Sequence, residues 1–231
     1  MKLIILLPVI ELFISSNLYA QRQSDKYEIG KLLFSDSFNG DLSNWSVEME
    51  TPSRSAIQIK DNQLDFSSFG RRTTVWFLQK LKGSAMIEYN ATAMPFGGIA
   101  DFVSDVNSFW MLTDLKHPDN IQADSSARGG SFSNYHKLHG YYVGKGAGRN
   151  ERTTFKKHDM SGSGTRIDWG VLIDEYYLLK PSFPHKIQLI YCDGQDSALV
   201  QYICDDSLYF ENGIQNRAGV DGLLLEAGTP T

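Results

Sequence analysis

Residues 185–204 read HKIQLIYCDGQDSALVQYIC, and this stretch decides the fold. Ile187, Leu189 and Tyr191 recur at every second position, which places them on one face of a pleated strand. Asp193, Gly194, Gln195, Asp196 and Ser197 supply turn chemistry, and ALVQYIC then returns as a second run of strand-forming residues. The reading is a β-hairpin. About so tight a turn, Cys192 falls opposite residue 199 rather than Cys204. Two separate thiols are therefore the plainer expectation, and a disulfide needs a different register.

The same texture extends outward in both directions. AIQIK, QLDF, TVWFLQK, AMIEYNA, SFWMLTD, LHGYYVG and TTFKK are short β-branched and aromatic runs between turn signals. No helical stripe longer than two or three turns is present, and YYLLK at residues 176–180 suits a short helix or a strand equally. Aromatics at 12% and 20 glycines in 231 residues match many strands joined by turns. Without βαβ alternation, this predicts an all-β antiparallel sandwich in one domain over residues 21–231. A hydrophobic content of 42% is ample for a core, and a net charge of −5 excludes a general nucleic-acid binder.

Residues 1–20 read as an export signal. Lys2 gives a positive start, residues 3–14 an apolar run, and SSNLYA a small-residue approach to a cut after Ala20. Twelve apolar residues are too few to cross about 30 Å of hydrocarbon, so no membrane insertion is expected after removal. The expected location is the periplasm or the cell exterior, and the expected state a monomer.

Two connections exceed ordinary turns. Residues 115–135 (LKHPDNIQADSSARGGSFSNY) hold few apolar anchors, and residues 143–152 (VGKGAGRNER) carry three glycines. Long irregular segments on a rigid sandwich commonly build binding clefts. Polar and aromatic residues concentrate beside them, including four of the five histidines. Alternation puts His139 and Tyr141 on one face and Leu138 and Tyr142 on the other. It also puts Arg152, Thr154, Lys156 and His158 together on a cationic face with Phe155 opposite. For any one of these side chains, a solvated outer surface remains the plainer reading.

DSFNGDLSNWSVE (residues 36–48), VWFLQKLKGSAMIEYNATA (75–93), SDVNSFWMLTD (104–114) and YHKLHGYYVGKGAGRNERTTFKKH (135–158) carry a resemblance. The chain from Leu32 to Phe210 resembles a family of secreted bacterial jelly-roll proteins of the concanavalin-A-like lectin/glucanase type, common in polysaccharide degraders. The resemblance implies a jelly-roll fold and a carbohydrate context. After Phe210 the sequence departs from that pattern, which puts one core strand in doubt.

Three functions fit. The first is a polysaccharide lyase acting on a uronate-containing glycan by β-elimination, which needs a carboxylate neutraliser, a base and an acid. His139, Tyr141, Arg152 and Lys156 are its candidate catalytic groups. Asn107, Trp110, Asp114, His136, Tyr142 and Arg149 are candidates for holding the poly- or oligosaccharide. The second is a non-catalytic sugar-binding module, with Trp76, Trp110, Tyr141 and Tyr142 available for stacking, although core packing is the plainer reading for the two tryptophans. The third is a glycoside hydrolase drawing two carboxylates from Asp105, Asp114 and Glu151. None requires a cofactor. Asp36, Asn39 and Asp41 are spaced for Ca²⁺ but equally for an Asx turn, the preferred reading, so no metal is expected.

Overall fold

The computed structural model describes residues 26–68, 72–98, 101–159, 165–194, 197–215 and 223–227. The export-signal reading of residues 1–20 lies outside them. The chain divides into two compact units, Met1–Leu33 and Phe34–Thr231, and the fold below is that of the second. Among the described residues no helix is long and apolar enough to cross a membrane.

Thirteen strands are described: β1 (Trp45–Met49), β2 (Ser55–Lys60), β3 (Gln63–Ser68), β4 (Thr73–Phe77), β5 (Ala85–Thr92), β6 (Val106–Thr113), β7 (His139–Gly146), β8 (Arg152–Asp159), β9 (Thr165–Leu172), β10 (Pro184–Cys192), β11 (Ser197–Cys204), β12 (Ser207–Gln215) and β13 (Leu223–Ala227). They form a seven-stranded sheet in the order β1-β4-β13-β6-β7-β8-β9, a four-stranded sheet β12-β11-β10-β5, and a small hairpin β2-β3. Every pairing is antiparallel. The chain is the expected all-β sandwich.

The β10–β11 hairpin has the register its sequence implies. Cys192 pairs with Leu199 and Cys204 with Ile187, and both thiols are free. Ile187, Leu189, Tyr191, Val200 and Tyr202 pack against Phe77, Trp110, Tyr141, Val143 and Phe155 of the larger sheet. Trp110 lies parallel to Phe155 at 5.8 Å between centroids. Burying these large rings between two layers is the main stabilising term of the fold.

The larger sheet is apolar on its other face as well. Trp76, Phe109, Leu112, Leu138 and Tyr142 form a second cluster there, sealed by Ile121, Phe132 and Tyr135 of the connection between β6 and β7. That connection was expected to hold few apolar anchors and to run as a long irregular loop. It is instead a packed cover, built round single helical turns at Ser125–Arg128 and Phe132–Tyr135. Arg128, 4% exposed, donates to Glu48 Oε1 at 2.8 Å, and Tyr135 donates to Glu48 Oε2 at 2.7 Å. Gly130 sits at φ +76°, where a Cβ would approach Glu50 N to 2.6 Å, so the cover meets β1 backbone to backbone.

The second long connection is shorter than its glycines suggest. β7 continues to Gly146 and β8 starts at Arg152, leaving a turn in which Gly148, Arg149 and Asn150 all have positive φ. Residues 176–180 begin inside a short 3₁₀ helix and continue as extended chain, with no strand. Asp174 captures the Tyr176 N–H at 2.9 Å, a 3₁₀ turn spans Glu175–Tyr177, and Leu178 is extended. Asp36 and Asp41 form the Asx turns expected of them, accepting from Phe38 N at 2.8 Å and Ser43 N at 2.9 Å. Beyond Phe210, β12 runs on to Gln215, and β13 pairs with both β4 and β6.

Candidate functional site

Pairing across β6, β7, β8 and β9 sets the outer face of the larger sheet. Tyr142 lies opposite Phe109 and Lys156, Gly144 opposite Asn107 and Thr154, and His158 opposite Gly140 and Arg166. Lys156 in turn faces Asp168. Directly paired residues share a sheet face, so these side chains lie on one side of the sheet, with Asn107, Tyr142 and His158 buried and Arg166 and Asp168 exposed at the edge of the cover. His136 reaches them from the cover itself.

The Tyr142 hydroxyl donates to Asn107 Oδ1 at 3.0 Å. Gly144 makes room for this bond, since a Cβ there would stand 2.3 Å from the hydroxyl and 3.1 Å from Asn107 Oδ1. The Tyr142 ring packs against Phe109 and Phe132 at 4.8 and 5.3 Å. Lys156 Nζ lies 2.8 Å from Asp168, whose carboxylate is 60% exposed. Arg166 Nη1 stands 3.5 Å from His136 Nε2, and the His136 ring meets His158 edge-on at 5.3 Å. The Arg72 guanidinium lies over Phe132 at 5.5 Å.

Charge here is mostly positive. Burial, then Arg166, Lys156 and Arg72, hold the His136 imidazole below its ordinary pKa. Burial and neighbouring His136 push His158 down to about 4, with a weak opposing pull from the Tyr135 backbone carbonyl. The hydrogen bond from Lys156 keeps Asp168 below the usual carboxylate range. Burial raises Asp105, against a Ser104 hydrogen bond and the charges of Arg72 and Arg152.

Of the residues expected to act together, the structure gathers Asn107, His136, Tyr142 and Lys156. Arg152 stands beside Glu151 at 3.8 Å, and its charge weakly opposes the burial that raises the Asp105 pKa. His139 and Tyr141 belong to the opposite face. Tyr141, 5% exposed, is in the inter-sheet core, where burial raises its phenol pKa, and His139 Nδ1 lies 3.7 Å from Asp159. The expected convergence of imidazole, phenol and guanidinium from His139, Tyr141 and Arg152 is therefore not what the sheet provides. Trp76 and Trp110 are fully buried, which removes them as stacking platforms. Arg149 lies in the β7–β8 turn over the Phe102 ring at 5.0 Å.

Asp114 is buried at the far end of β6, accepting from Lys116 N at 2.9 Å. Asp105 precedes the near end, and the eight residues of β6 separate the two by roughly 25 to 30 Å. A hydrolytic pair needs about 5 to 9.5 Å, so these two carboxylates do not form one. Arg72, Arg166 and Asp168 were not anticipated. Arg166 and Asp168 alternate in TRIDWGVL, and that pattern carried the signal; nothing in the sequence pointed to Arg72.

Two donor groups, His185 with Cys204 and Asp205, and Asp114 with His117 and Asp124, each have ligand atoms within 4.8 Å of one another. In the first, His185 Nε2 accepts from Lys180 N at 3.0 Å while Nδ1 meets Asp205 Oδ2 at 2.7 Å. That pattern places the proton on Nδ1, the atom a metal would need, and the neighbouring Lys145 ammonium adds a repelling charge. The second group offers three donors, short of the six to eight oxygens typical of Ca²⁺.

Residues 69–221 match the family described as "Domain of unknown function (DUF6250)". The chain belongs to this family. No curated protein matches this DUF6250 member. Among solved structures, the Emp46p carbohydrate recognition domain in its metal-free form aligns at TM-score 0.51 and 15% identity, covering 84% of this chain and 90% of that one. The exoplasmic/lumenal domain of VIP36 in a Ca²⁺/Man-bound form gives 0.45 and 12%, over 80% and 76%. Lectin II from Ulex europaeus gives 0.46 and 8%, over 82% and 86%. The Emp46p likeness establishes the concanavalin-A-like fold of this DUF6250 protein, and at such identity it speaks to fold alone.

Proposed function

We propose that this DUF6250 protein binds carbohydrate on the outer face of its seven-stranded sheet, as a binding module without a catalytic step. The convergence of His136, Lys156, Arg166 and Asp168 where the cover meets β7–β9, over the buried Tyr142–Asn107 hydrogen bond, carries the reading. Sugars are recognised by just such a mixture of fixed donors and acceptors beside apolar ring edges. Because both tryptophans are buried, selectivity rests on hydrogen bonds and charge more than on stacking.

The elimination reading needed His139 and Tyr141 beside Arg152 and Lys156, and a full sheet thickness separates the first two from Lys156. Tyr142, the phenol on the correct face, already donates its proton to Asn107. Residues 1–20, read as an export signal, would bring such a module to glycans outside the cytoplasm.

Calorimetric titration against a panel of oligosaccharides tests the reading. Saturable binding is expected, with no ultraviolet-absorbing unsaturated product and no new reducing ends, and with at least a tenfold loss of affinity in Asn107→Ala. Product formation would restore an enzymatic reading; failure to bind any member of a panel spanning neutral and acidic glycans would remove the carbohydrate reading.

A further inference from the structure

Cations gather round His136 from three separate elements. Arg166 comes from β9, at 3.5 Å from the imidazole. Lys156 comes from β8, and Arg72 from just before β4, both near enough to oppose protonation of that ring. Arg152 and Arg72 also flank Asp105. Three carboxylates answer them in part: Asp168 pairs with Lys156, Glu50 Oε2 accepts from the Arg72 backbone N–H at 3.4 Å, and Asp105 has its pKa raised by burial. Glu48 is committed to Arg128 and Tyr135. An excess of positive charge in a chain of net charge −5 is a local arrangement, not a compositional accident.

Resting on the carbohydrate reading above, we infer that the sugar is acidic: a uronate-containing glycan whose carboxylate docks among Arg72, Arg166, Lys156 and His136. A guanidinium presents paired N–H donors that fit a planar carboxylate, and two of them flank the imidazole. A neutral sugar over the same surface would strip water from three charges and return none of their electrostatic stabilisation. Asp168 holds Lys156 while being 60% exposed, so its side chain is free to turn outward as a ligand carboxylate takes its place. His136 then adds a proton linkage. A bound carboxylate offsets the burial and the cations that disfavour protonation of the ring, so uronate binding takes up a proton and strengthens as pH falls. The groups facing that ring are Arg166, Lys156, His158, Arg72 and the Phe132 edge.

The test compares a uronate oligosaccharide with its carboxyl-reduced, neutral counterpart by calorimetry on the full chain. The uronate is expected to bind at least tenfold more tightly. Arg166→Gln, an exposed position, should shrink that ratio to about threefold or less with an unchanged melting temperature, and Arg166→Lys should recover part of it. Asp168→Asn should raise uronate affinity several-fold, a gain that a merely structural role for Asp168 does not predict. Equal affinity for the two sugars overturns the acidic assignment and leaves carbohydrate binding standing. Binding to neither, nor to any other glycan, overturns both.

Discussion

Arg128 and Glu48, 80 residues apart in sequence, meet as an ion pair at 2.8 Å with both side chains at most 4% exposed. Tyr135 shares the same carboxylate, and the Arg128 guanidinium lies over Trp76 at 4.8 Å. Removing one partner strands a buried charge, at a cost of about 3 to 5 kcal/mol. Arg128→Met is therefore expected to lower the melting temperature by roughly 10 °C in a domain of this size. It should also speed proteolysis within residues 115–138. An unchanged melting temperature and an uncut cover would show that the pair does not clamp it.

His158 makes stability depend on pH. Its folded pKa is about 4, against 6.5 for an unburied ring. Between those values the unfolded chain binds the proton and the folded one does not, so stability rises with pH. The contribution of neutral His158 is complete above about pH 6.5 and lost as pH falls through 4, with a total of roughly 3 kcal/mol. Urea unfolding at pH 7, 5.5 and 4 should show that decline, and His158→Phe should remove this component. An identical slope in the variant would assign the decline to other groups.

The two thiols should behave differently. Cys204 is buried, and burial raises its pKa to about 11 even with Lys145 nearby pulling it down. Cys192 is half-buried at the strand end. Alkylation followed by mass spectrometry should label Cys192 first in the native protein and both only after denaturation. Reduction should leave the mass unchanged. A loss of two labels in non-reduced, denatured protein would reveal a disulfide and a different hairpin register.

Gly144 is where site and fold can be separated. Gly144→Ala would drive a methyl group to 2.3 Å from the Tyr142 hydroxyl and displace it from Asn107. The expected stability loss is about 1 to 3 kcal/mol, typical of overpacking. Sugar affinity should fall about tenfold more than in Tyr142→Phe, which removes the hydroxyl but leaves Asn107 in place. Equal affinities in the two variants would mean that Asn107 orientation is irrelevant to binding.

Nine of the described strands were legible in the sequence, down to Cys192 facing Leu199, whereas β1, β9, β12 and β13 were not read from it. The face each strand presents was legible too, since alternation grouped His139 with Tyr141 and Leu138 with Tyr142. What alternation could not say was which face is the core. A sheet with one wet side declares this through polarity, but here Tyr141 is buried by the second sheet and Tyr142 by the cover. Both faces of β7 are apolar, so His139 and Tyr141 looked as accessible as Tyr142. The cover itself was misread because its three anchors, Ile121, Phe132 and Tyr135, are spread through a polar segment. Arg72 reaches the site only through tertiary folding, and no local pattern announces that.

The position of β13 has a consequence for how the chain reaches its native state. Residues 223–227 insert between β4 and β6, strands made long before them. Until they arrive, the middle of the larger sheet has two open hydrogen-bonding edges, the sort that recruit strands from other molecules. Closing that gap requires contacts spanning more than a hundred residues, which makes assembly slow. A nascent or clipped polypeptide lacking this segment is thus expected to aggregate rather than persist as a smaller sandwich.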